Sequence, residues 1–376
     1  MQKILFVLHM PPPVHGASMV GKYIHDSKLI NDKFDCHYIN LTTAKNLQDI
    51  GKSGIGKLWR FVKLLLEIRR KVRNIKPQLV YTTPNAKGSA FYKDFIVVQM
   101  LKALDCSIVC HYHNKGIKTR QDKWLDNFLY RSFFKGIKVI LLADVLYDDI
   151  CKYVKRGDVF VCPNGIPETE DGEYVRTDNA VPRLLFLSNL LVEKGVFVLL
   201  DALQRLKDNG YHFTCDFVGG ETAEVDAERL EEEVRSRGLD GIVVYRGRKY
   251  GEEKNEMFRN ADIFVFPTYY NNECFPLVLL EAMQYGTACI STDEGGISDI
   301  IDDNETGYIV ERHNAAMLAE RMGQLMADRV LCRRMGCAGR EKYKRVFTLT
   351  CFERQFAYVM KECLDIFMLE RKEPAV

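Results

Sequence analysis

Two glutamates separated by seven residues, Glu273 and Glu281, stand in the stretch ECFPLVLLE. An apolar run, IFVFP, and a polar turn precede this stretch, and its own apolar residues indicate a helix that begins near Pro276. One carboxylate therefore lies just before the helix and the other lies on it, about a turn and a half later. If both carboxylates face a ligand, they can accept hydrogen bonds from sugar hydroxyls. The alternative is that Glu273 is an acidic residue that caps the helix and Glu281 is a surface glutamate, so that neither binds a ligand. The segment alone leaves both interpretations open.

The start of the same helix suits an anion. Its first free N–H groups, those of Leu277 and Val278, lie at the positive end of the helix dipole, where a diphosphate is stabilised. Phe275 directly precedes the proline, and we assign it to the same predicted ligand site. The segment therefore predicts a site for a phosphorylated sugar.

Three further loops follow predicted strands and carry residues suited to the same ligand. Gly16, after the first strand, allows close approach to the backbone at a helix start, although the G-x-G-x-x-G pattern of dinucleotide binding is absent. Lys194 follows the first strand of the second half and suits a phosphate, the alternative being a solvated lysine. Gly295 and Gly296 follow another strand, where a plain turn is the alternative.

The composition is that of a folded protein with more than one domain. The chain has 376 residues, of which 47% are hydrophobic and 28% charged, and this excludes a disordered or collagen-like chain. No apolar run is long enough to span a membrane, and the N-terminal run is too short for a signal peptide. The 12 cysteines form no disulfide framework. We expect two domains in a reduced, cytoplasmic protein.

Short β-branched runs alternate with helical stretches along the chain, which predicts βαβ units and parallel sheets. Six strands are predicted in the first half, at 4–9, 36–40, 79–83, 107–113, 138–143 and 159–163. Six more are predicted in the second half, at 183–188, 213–219, 242–247, 263–267, 288–292 and 307–310. Helices are predicted between them, including one at 145–155, and the polar segment 163–182 is predicted to link two α/β domains of similar size.

The charges are divided unequally between the two halves. Residues 1–165 carry 27 basic and 13 acidic residues, whereas residues 166–376 carry 26 basic and 38 acidic residues. The segment 52–76 alone has nine basic residues and one acidic residue. Its apolar residues at 55, 58, 62, 65, 68, 72 and 75 predict a basic amphipathic helix. Such a helix fits an anionic membrane surface, but it also fits an outer helix packed on the first sheet, and both interpretations stay open.

The ordered set of these motifs resembles the retaining glycosyltransferases of family 4, which use nucleotide sugars. Glu273 and Glu281 reproduce the family's E-x7-E, and Lys194-Gly195 matches its lysine–glycine step. The runs FVGG, RNADIFVFPT and CPNGIP follow the family's order. The resemblance implies the GT-B fold, which is two Rossmann-like domains facing a central cleft. It places the acceptor domain at 1–165, the nucleotide-sugar domain at 166–355, and a C-terminal helix, about 356–376, back on the first domain.

The same resemblance implies roles for individual residues. Glu281 would bind the ribose, Glu273 the donor sugar, and Gly16 with Lys194 the diphosphate. The family's histidine would be His113 in HYHN, whereas we expect His111 to be a core residue. Cysteines at 106 and 110 lie near these histidines, but their spacing is not that of a zinc site, and no metal is expected.

The chain departs from the family at one cation. The family carries an arginine five residues before the lysine, where this chain has Asn189. Asparagine donates hydrogen bonds but supplies no charge, so Arg248 or Lys249, after the strand IVVYRG, would have to compensate. A serine usual in the family is also replaced, by Ala143.

The sequence thus predicts a glycosyltransferase that moves a sugar from a nucleoside diphosphate to an acceptor hydroxyl with retained configuration, without a metal or other cofactor. A glycan or lipid-linked acceptor of bacterial surface polysaccharide synthesis suits the basic first half, and we expect the protein at the inner face of the plasma membrane. The alternatives are a GT-B-fold sugar-nucleotide epimerase, a phosphorylase and a non-catalytic sugar-nucleotide-binding protein. A Rossmann oxidoreductase is disfavoured because the dinucleotide fingerprint is missing.

Overall fold

The computed structural model describes residues 1–12, 16–41, 55–169 and 179–371, without the side chains of Ile55 and Lys57. The chain divides into two compact units, which we call unit 1 (Met1–Asn164 with Leu349–Val376) and unit 2 (Gly165–Thr348). The helix predicted to return to the first domain at about residue 356 begins at Leu349, so the expected 166–355 domain ends too late. Much of the predicted linker, residues 170–178, lies outside the described residues.

Unit 1 contains a parallel sheet of six strands in the order β2-β1-β3-β4-β5-β6. The strands are β1 (Lys3–Leu8), β2 (Asp35–Asn40), β3 (Leu79–Thr82), β4 (Ile108–His111), β5 (Lys138–Leu141) and β6 (Val159–Val161). The inner strands β3, β4 and β5 are buried along their whole length, as expected for a parallel sheet with helices on both faces. The strands predicted in the first half are therefore confirmed, with ends that shift by one or two residues.

Five helices connect these strands: α1 (Gly16–Asp26), α2 (Lys28–Lys33), α3 (Ile55–Ile75), α4 (Gly88–Ala103) and α5 (Trp124–Phe134). Right-handed crossovers in this strand order put α3, α4 and α5 on one face of the sheet and α1 with α2 on the other. On α3 the buried residues are Leu64, Ile68 and Val72. Ile68 and Val72 belong to the predicted stripe, whose Val62, Leu65 and Ile75 are half-buried, whereas its Leu58 is exposed.

The helix predicted at 145–155 is wrong. The chain forms a 3-10 segment over Asp144–Asp149 and turns thereafter. Asp149 accepts hydrogen bonds from the backbone N–H groups of Gly116 at 2.9 Å, Ile117 at 3.1 Å and Lys118 at 3.0 Å. This carboxylate fixes the neighbouring loop, a tertiary contact that helical periodicity does not reveal.

Unit 2 repeats the architecture with a parallel sheet in the order β12-β11-β10-β7-β8-β9. Its strands are β7 (Arg183–Leu187), β8 (Thr214–Val218), β9 (Val243–Tyr245), β10 (Ile263–Phe266), β11 (Ala288–Thr292) and β12 (Gly307–Val310). Its helices are α6 (Val196–Asp208), α7 (Ala227–Ser236), α8 (Gly251–Asn260), α9 (Leu277–Gln284), α10 (Ile297–Ile300), α11 (Ala315–Ala327) and α12 (Arg329–Lys342). Side-chain oxygens cap α7, α11 and α12, from Asp226, Asn314 and Asp328.

The last helix, α13 (Leu349–Glu370), belongs to unit 1. Its Phe352, Phe356 and Met360 share one core with Phe6 of β1 and Ile24 of α1. The face of the sheet that carries α1 and α2 is therefore completed by α13, while the opposite face carries α3, α4 and α5. In the part of the chain that the structure describes, no helix combines the length and the hydropathy required to cross a bilayer.

Candidate functional site

The carboxyl ends of the parallel strands in unit 2 bring several of the predicted residues to one edge of the sheet. Gly195, which follows Lys194, has φ +86°, and a side chain there would lie 2.2 Å from the carbonyl oxygen of Pro267. Gly295 has φ +61°, and a side chain there would lie 2.3 Å from the carbonyl oxygen of Glu273. These glycines let the loops after β7 and β11 press against the loop after β10.

Lys194 and Glu273 form an ion pair at this edge, between the loop after β7 and the loop after β10. Both side chains are largely buried. The Lys194 ammonium also lies over two aromatic rings, 4.6 Å from the centroid of Tyr270 and 5.3 Å from that of Phe266. The structure therefore brings together two of the three residues to which the sequence assigns catalysis, in a partly desolvated setting where charges interact strongly.

Glu281 lies on α9 and pairs with Lys254 of α8, with 2.6 Å between Nζ and Oε1. Each side chain is about a quarter exposed, so the second carboxylate oxygen can still accept hydrogen bonds from a ligand. Sequence analysis did not single out Lys254, because it lies in the charged run GEEKNEMFRN and belongs to no motif.

The beginning of α9 has the form that an anion site requires. Pro276 stands one residue before the helix, rather than in its first turn, and accepts a hydrogen bond from the N–H of Leu279 at 3.2 Å. The preceding N–H groups, of Leu277 and Val278, have no carbonyl one turn earlier to pair with. The Phe275 side chain is buried, with its ring 5.8 Å from that of Phe347, so only its backbone is available to a ligand.

Asn189 and Arg248 approach the same pair of glycines, Gly219 and Gly220, after β8. The N–H of Leu190, next to Asn189, donates to the carbonyl oxygen of Gly220 at 2.8 Å. The Arg248 guanidinium covers Gly220 so closely that a side chain there would lie 2.0 Å from its Nη2. Asn189, at the position where the family has an arginine, therefore lies beside the same backbone segment as Arg248.

The cations at this edge differ in how they are paired. Lys249, the other predicted substitute, bonds to Glu253 at 3.2 Å, and Lys194 and Lys254 are paired as described above. Among the residues that the structure describes, Arg248 has no carboxylate partner and is exposed. It is thus the cation of this group that can meet an anionic ligand without first breaking an ion pair.

The predicted histidines of unit 1 lie at the carboxyl end of β4. His111 is fully buried, and its Nδ1 lies 2.8 Å from the hydroxyl oxygen of Tyr81. Burial, with a smaller contribution from His113, holds the pKa of His111 well below its usual range, so this ring is neutral. His113 follows the strand, is partly exposed and lies 4.2 Å from His111 between ring centroids. His111 is thus a core residue, whereas His113 is partly exposed, although its Nε2 is buried.

Gly16, the remaining predicted donor residue, is the first residue of α1 and is exposed. A side chain at this position would meet nothing within 4 Å, so the backbone there is open to a ligand. No group of three or more histidine, cysteine, aspartate or glutamate side chains suited to a metal occurs in the described ranges of the chain.

Comparison with known proteins follows the same division of the chain. Residues 167–342 match the family model of glycosyl transferases group 1. The alpha-maltose-1-phosphate synthase of Mycobacterium tuberculosis is 29% identical over 192 residues, covering 50% of this chain and 47% of that protein. The O-antigen chain mannosyltransferase C of Escherichia coli is 26% identical over 253 residues, covering 65% of this chain and 66% of that protein. The chain thus spans about half the length of the first relative and somewhat more of the second.

Solved structures match nearly the whole chain. Sucrose-phosphate synthase from Thermosynechococcus elongatus superposes with a TM-score of 0.76 at 19% identity, covering 97% of this chain and 100% of that one. An Anabaena protein, HepE, in complex with UDP-glucose, superposes with a TM-score of 0.70 at 14% identity, covering 96% and 100%. These likenesses, with two six-stranded parallel sheets flanked by helices, confirm the predicted two-domain GT-B fold.

Proposed function

We propose that this chain, whose residues 167–342 match the group 1 glycosyltransferases, moves a sugar from a nucleoside-diphosphate sugar to an acceptor hydroxyl. The observation that carries the proposal is the Lys194–Glu273 ion pair at the carboxyl edge of the unit 2 sheet. A ligand that presents both a diphosphate and a sugar offers a partner to each member of this pair. Lys194 would turn to the diphosphate, and the Glu273 carboxylate would accept hydrogen bonds from the sugar hydroxyls.

The remaining donor contacts follow from the positions around this pair. Glu281 would accept hydrogen bonds from the ribose with the oxygen that faces away from Lys254. The N–H groups of Leu277 and Val278 would bind a phosphate at the start of α9. Arg248 would supply the charge that Asn189 lacks, and Gly16 would let the diphosphate approach the unit 1 backbone.

We propose that the configuration at the anomeric carbon is retained through attack from the same face. The bond from that carbon to the diphosphate oxygen breaks while the bond to the acceptor oxygen forms, and the acceptor proton passes to the departing phosphate. Catalysis then consists of orienting the two substrates and stabilising the leaving diphosphate, without a metal. His113, beside the neutral His111, would hydrogen-bond the donor sugar.

The acceptor is a glycan or a lipid-linked saccharide, bound by unit 1. Support comes from relatives that make bacterial polysaccharides, such as the mannosyltransferase above and a colanic acid glycosyltransferase, WcaL, of Escherichia coli, 27% identical over 187 residues. The exposed basic residues of α3 add a contact with an anionic membrane surface, which would keep the protein at the inner face of the plasma membrane.

The test begins with donors. Purified protein is screened by thermal shift against nucleoside diphosphates and their sugars, because a ligand that binds the native state raises the unfolding temperature. The best donor is then incubated with the protein, and released nucleoside diphosphate is measured. We expect stabilisation and slow donor hydrolysis, both lost in Lys194→Ala but kept in Lys344→Ala, whose lysine pairs with Glu341 on the surface.

Three outcomes contradict the proposal. Interconversion of the free nucleotide sugar would indicate an epimerase, and phosphate-dependent cleavage of a glycan would indicate a phosphorylase. Stabilisation by the donor without any release of nucleoside diphosphate, with or without an acceptor, would indicate a binding protein.

A further inference from the structure

The outer face of the unit 1 sheet, formed by α3, α4 and α5, differs in charge from the inner face that carries α1, α2 and α13. The three outer helices contain ten basic and three acidic residues, whereas the three inner helices contain five basic and six acidic residues. Each acid of the outer helices is already engaged. Glu67 pairs with Lys71, Asp94 with the amide of Asn85, and Asp126 with Arg120. Lys71 is thus paired and Lys102 donates to backbone carbonyls, but the remaining basic residues outnumber the acids and leave this face positively charged for a partner.

Helix α5 exposes an apolar patch that the sequence analysis did not predict. Trp124 is 80% exposed and Phe128 is 65% exposed, with Leu125 beside them. Along the same stripe of the helix, at spacings of three and four residues, follow the exposed Arg131 and Lys135. Large aromatic side chains that remain in water in this way mark a surface for a partner.

Helix α3 presents the same arrangement. Its exposed stripe contains Trp59, which is 60% exposed, and Leu66, followed by the exposed Arg70 and Arg73. Lys63 lies between them, with its ammonium 5.6 Å from the Trp59 ring centroid. Trp59 thus faces outward and does not pack on the sheet, so the apolar part of this stripe is available together with its charge.

The two tryptophans lie toward the same edge of unit 1. A helix that returns after a parallel strand runs opposite to it, so the beginnings of α3 and α5 lie toward the carboxyl ends of the strands. Trp59 and Trp124 stand at these beginnings, with α4 between the two helices, which puts them roughly 20 Å apart. This is also the edge at which β4 ends and His113 follows.

We infer that Trp124, Leu125 and Phe128 of α5 form a second membrane contact, and that unit 1 docks on an anionic bilayer through α3 and α5 together. The inference rests on the membrane contact of α3 in the proposed function and extends it to a second helix. A bilayer is the partner that matches the combination, because aromatic rings settle at its interface while lysine and arginine side chains contact anionic headgroups. With both tryptophans at the carboxyl edge, a lipid-linked acceptor would leave the bilayer beside His113.

The chain itself provides the probes, because Trp59 and Trp124 are its two tryptophans. Trp59→Phe leaves the emission of Trp124, and Trp124→Phe leaves that of Trp59. Each variant is titrated with vesicles of phosphatidylcholine, or of phosphatidylcholine with phosphatidylglycerol, and with brominated lipid as a quencher. We expect both tryptophans to shift to shorter wavelength and to be quenched on the anionic vesicles only, with the shift reversed at high salt.

Binding is measured in parallel by vesicle co-sedimentation. Trp124→Ser and Phe128→Ser remove two aromatic side chains that the bilayer would bury, so together they should lower partitioning onto anionic vesicles by at least about tenfold. The matched control is Tyr358→Ser, since Tyr358 of α13 is 56% exposed but lies on the other face of the same sheet. Circular dichroism checks that the variants fold, and the conservative phenylalanine variants keep the fluorescence test valid if the serine variants do not.

The outcomes separate this inference from the proposed function. A shift of Trp59 alone would overturn the contact by α5 and leave docking through α3. No shift of either tryptophan would overturn membrane docking, whereas donor hydrolysis in solution would still support the transferase. A dimer that Trp124→Ser dissociates would show that a second copy of the chain, and not a bilayer, covers the patch.

Discussion

The two units present parallel sheets of six strands, yet the carboxyl edges of these sheets are held by different kinds of contact. In unit 2 the loops are joined by ion pairs, Lys194 with Glu273 and Lys254 with Glu281. In unit 1 carboxylates join the loops after β4 and β5, where Asp149 binds the backbone of Gly116 and Lys118 pairs with Asp148, but neutral groups join the loops after β3 and β4. Asn114 accepts a hydrogen bond from the N–H of Ala86 at 2.7 Å and donates to Asn85, while the neutral His111 lies beside His113.

This difference matches two kinds of ligand. An edge built from ion pairs can exchange its internal partners for a charged ligand, because each carboxylate and each ammonium group finds a new partner in a nucleotide sugar. A contact built from amides, such as the one between the loops after β3 and β4 of unit 1, offers hydrogen bonds without a fixed charge, which suits the hydroxyl groups of a sugar. The comparison predicts that changes of charge in unit 2 will weaken donor binding or slow turnover. The size of the effect should depend on how directly each group faces the diphosphate.

The largest effect is expected from Lys194→Ala. This variant removes the ammonium group that would stabilise the leaving diphosphate and also leaves Glu273 without its partner. We expect turnover to fall by roughly 10²–10³, as when one preorganised donor to a transition state is lost. Steady-state kinetics with the best donor provide the measurement, and Lys344→Ala, at an exposed surface pair, is the control. Near-normal turnover would remove this loop from the diphosphate site.

The two glutamates should differ in which kinetic step they affect. Glu281→Ala should weaken donor binding and Glu273→Ala should mainly slow transfer, because one carboxylate would face the ribose and the other the sugar. Loss of a hydrogen bond that involves a charged group costs about 1.5–3 kcal/mol, or roughly 10- to 150-fold. Calorimetric donor affinity and single-turnover rates separate the two effects. Unchanged values in both folded variants would refute the assignment.

The role of Arg248 can be tested by moving its positive charge from position 248 to position 189. If Arg248 supplies the missing cation, Arg248→Ala should weaken binding of the nucleoside diphosphate about tenfold, in the range of one hydrogen bond to a charged group. Asn189→Arg should restore that binding in the Arg248→Ala background and give little gain in the wild type, since both positions lie beside Gly220. If Asn189→Arg does not restore binding in a folded double variant, this result would contradict the hypothesis that Arg248 supplies the missing cation.

The sequence predicted the strands more accurately than the contacts between the loops. All twelve strands are where the short apolar and β-branched runs indicate, and the signal is clearest for the inner strands, which are buried on both faces and must be mostly apolar. The resemblance identified Lys194 and Glu273, and their ion pair brings them together. The contacts of Lys254 and Arg248 were harder to predict, because they depend on how α8 and the loop after β9 lie against residues that are distant in the sequence. No local spacing of residues encodes these contacts.

The same limit explains the outer face of unit 1. Periodicity predicted the basic helix α3 and most of its buried stripe but not the exposure of Leu58, because an amphipathic helix with apolar residues on two sides fits the sheet in more than one rotation. The apolar patch on α5 had no sequence signal, since Trp124 and Phe128 stand among residues that would equally form a core helix.

A smaller effect on donor binding is expected from Lys254→Met, which keeps the length of the side chain but removes its charge. Lys254 acts through Glu281 and is a positioning residue, so we expect donor affinity to fall several-fold with turnover at saturation little changed. The ribose contact gives a specific readout. The preference for a nucleoside diphosphate over its 2′-deoxy form should narrow in Lys254→Met and return in Lys254→Arg. An unchanged preference would show that Lys254 only stabilises the surface of α8.

The smallest effect concerns stability and follows the protonation of Asp94, which lies beside the loop after β3 in unit 1. Asn85 donates to Asp94 from its backbone N–H at 2.8 Å and its side-chain amide at 2.9 Å, yet burial raises the pKa of this carboxyl to about 6. The folded protein therefore holds a proton that the unfolded chain releases near pH 4, so the free energy of unfolding should fall as the pH rises from about 4 to 6. Because Asp94 is partly exposed, we expect on the order of 1 kcal/mol, measured by urea unfolding as the difference between the wild type and Asp94→Asn. Asn85→Ala removes the side-chain hydrogen bond that favours the charged carboxylate and keeps the backbone one, so this variant should show a larger fall than the wild type. Parallel pH profiles for all three proteins would show that Asp94 does not titrate in this range.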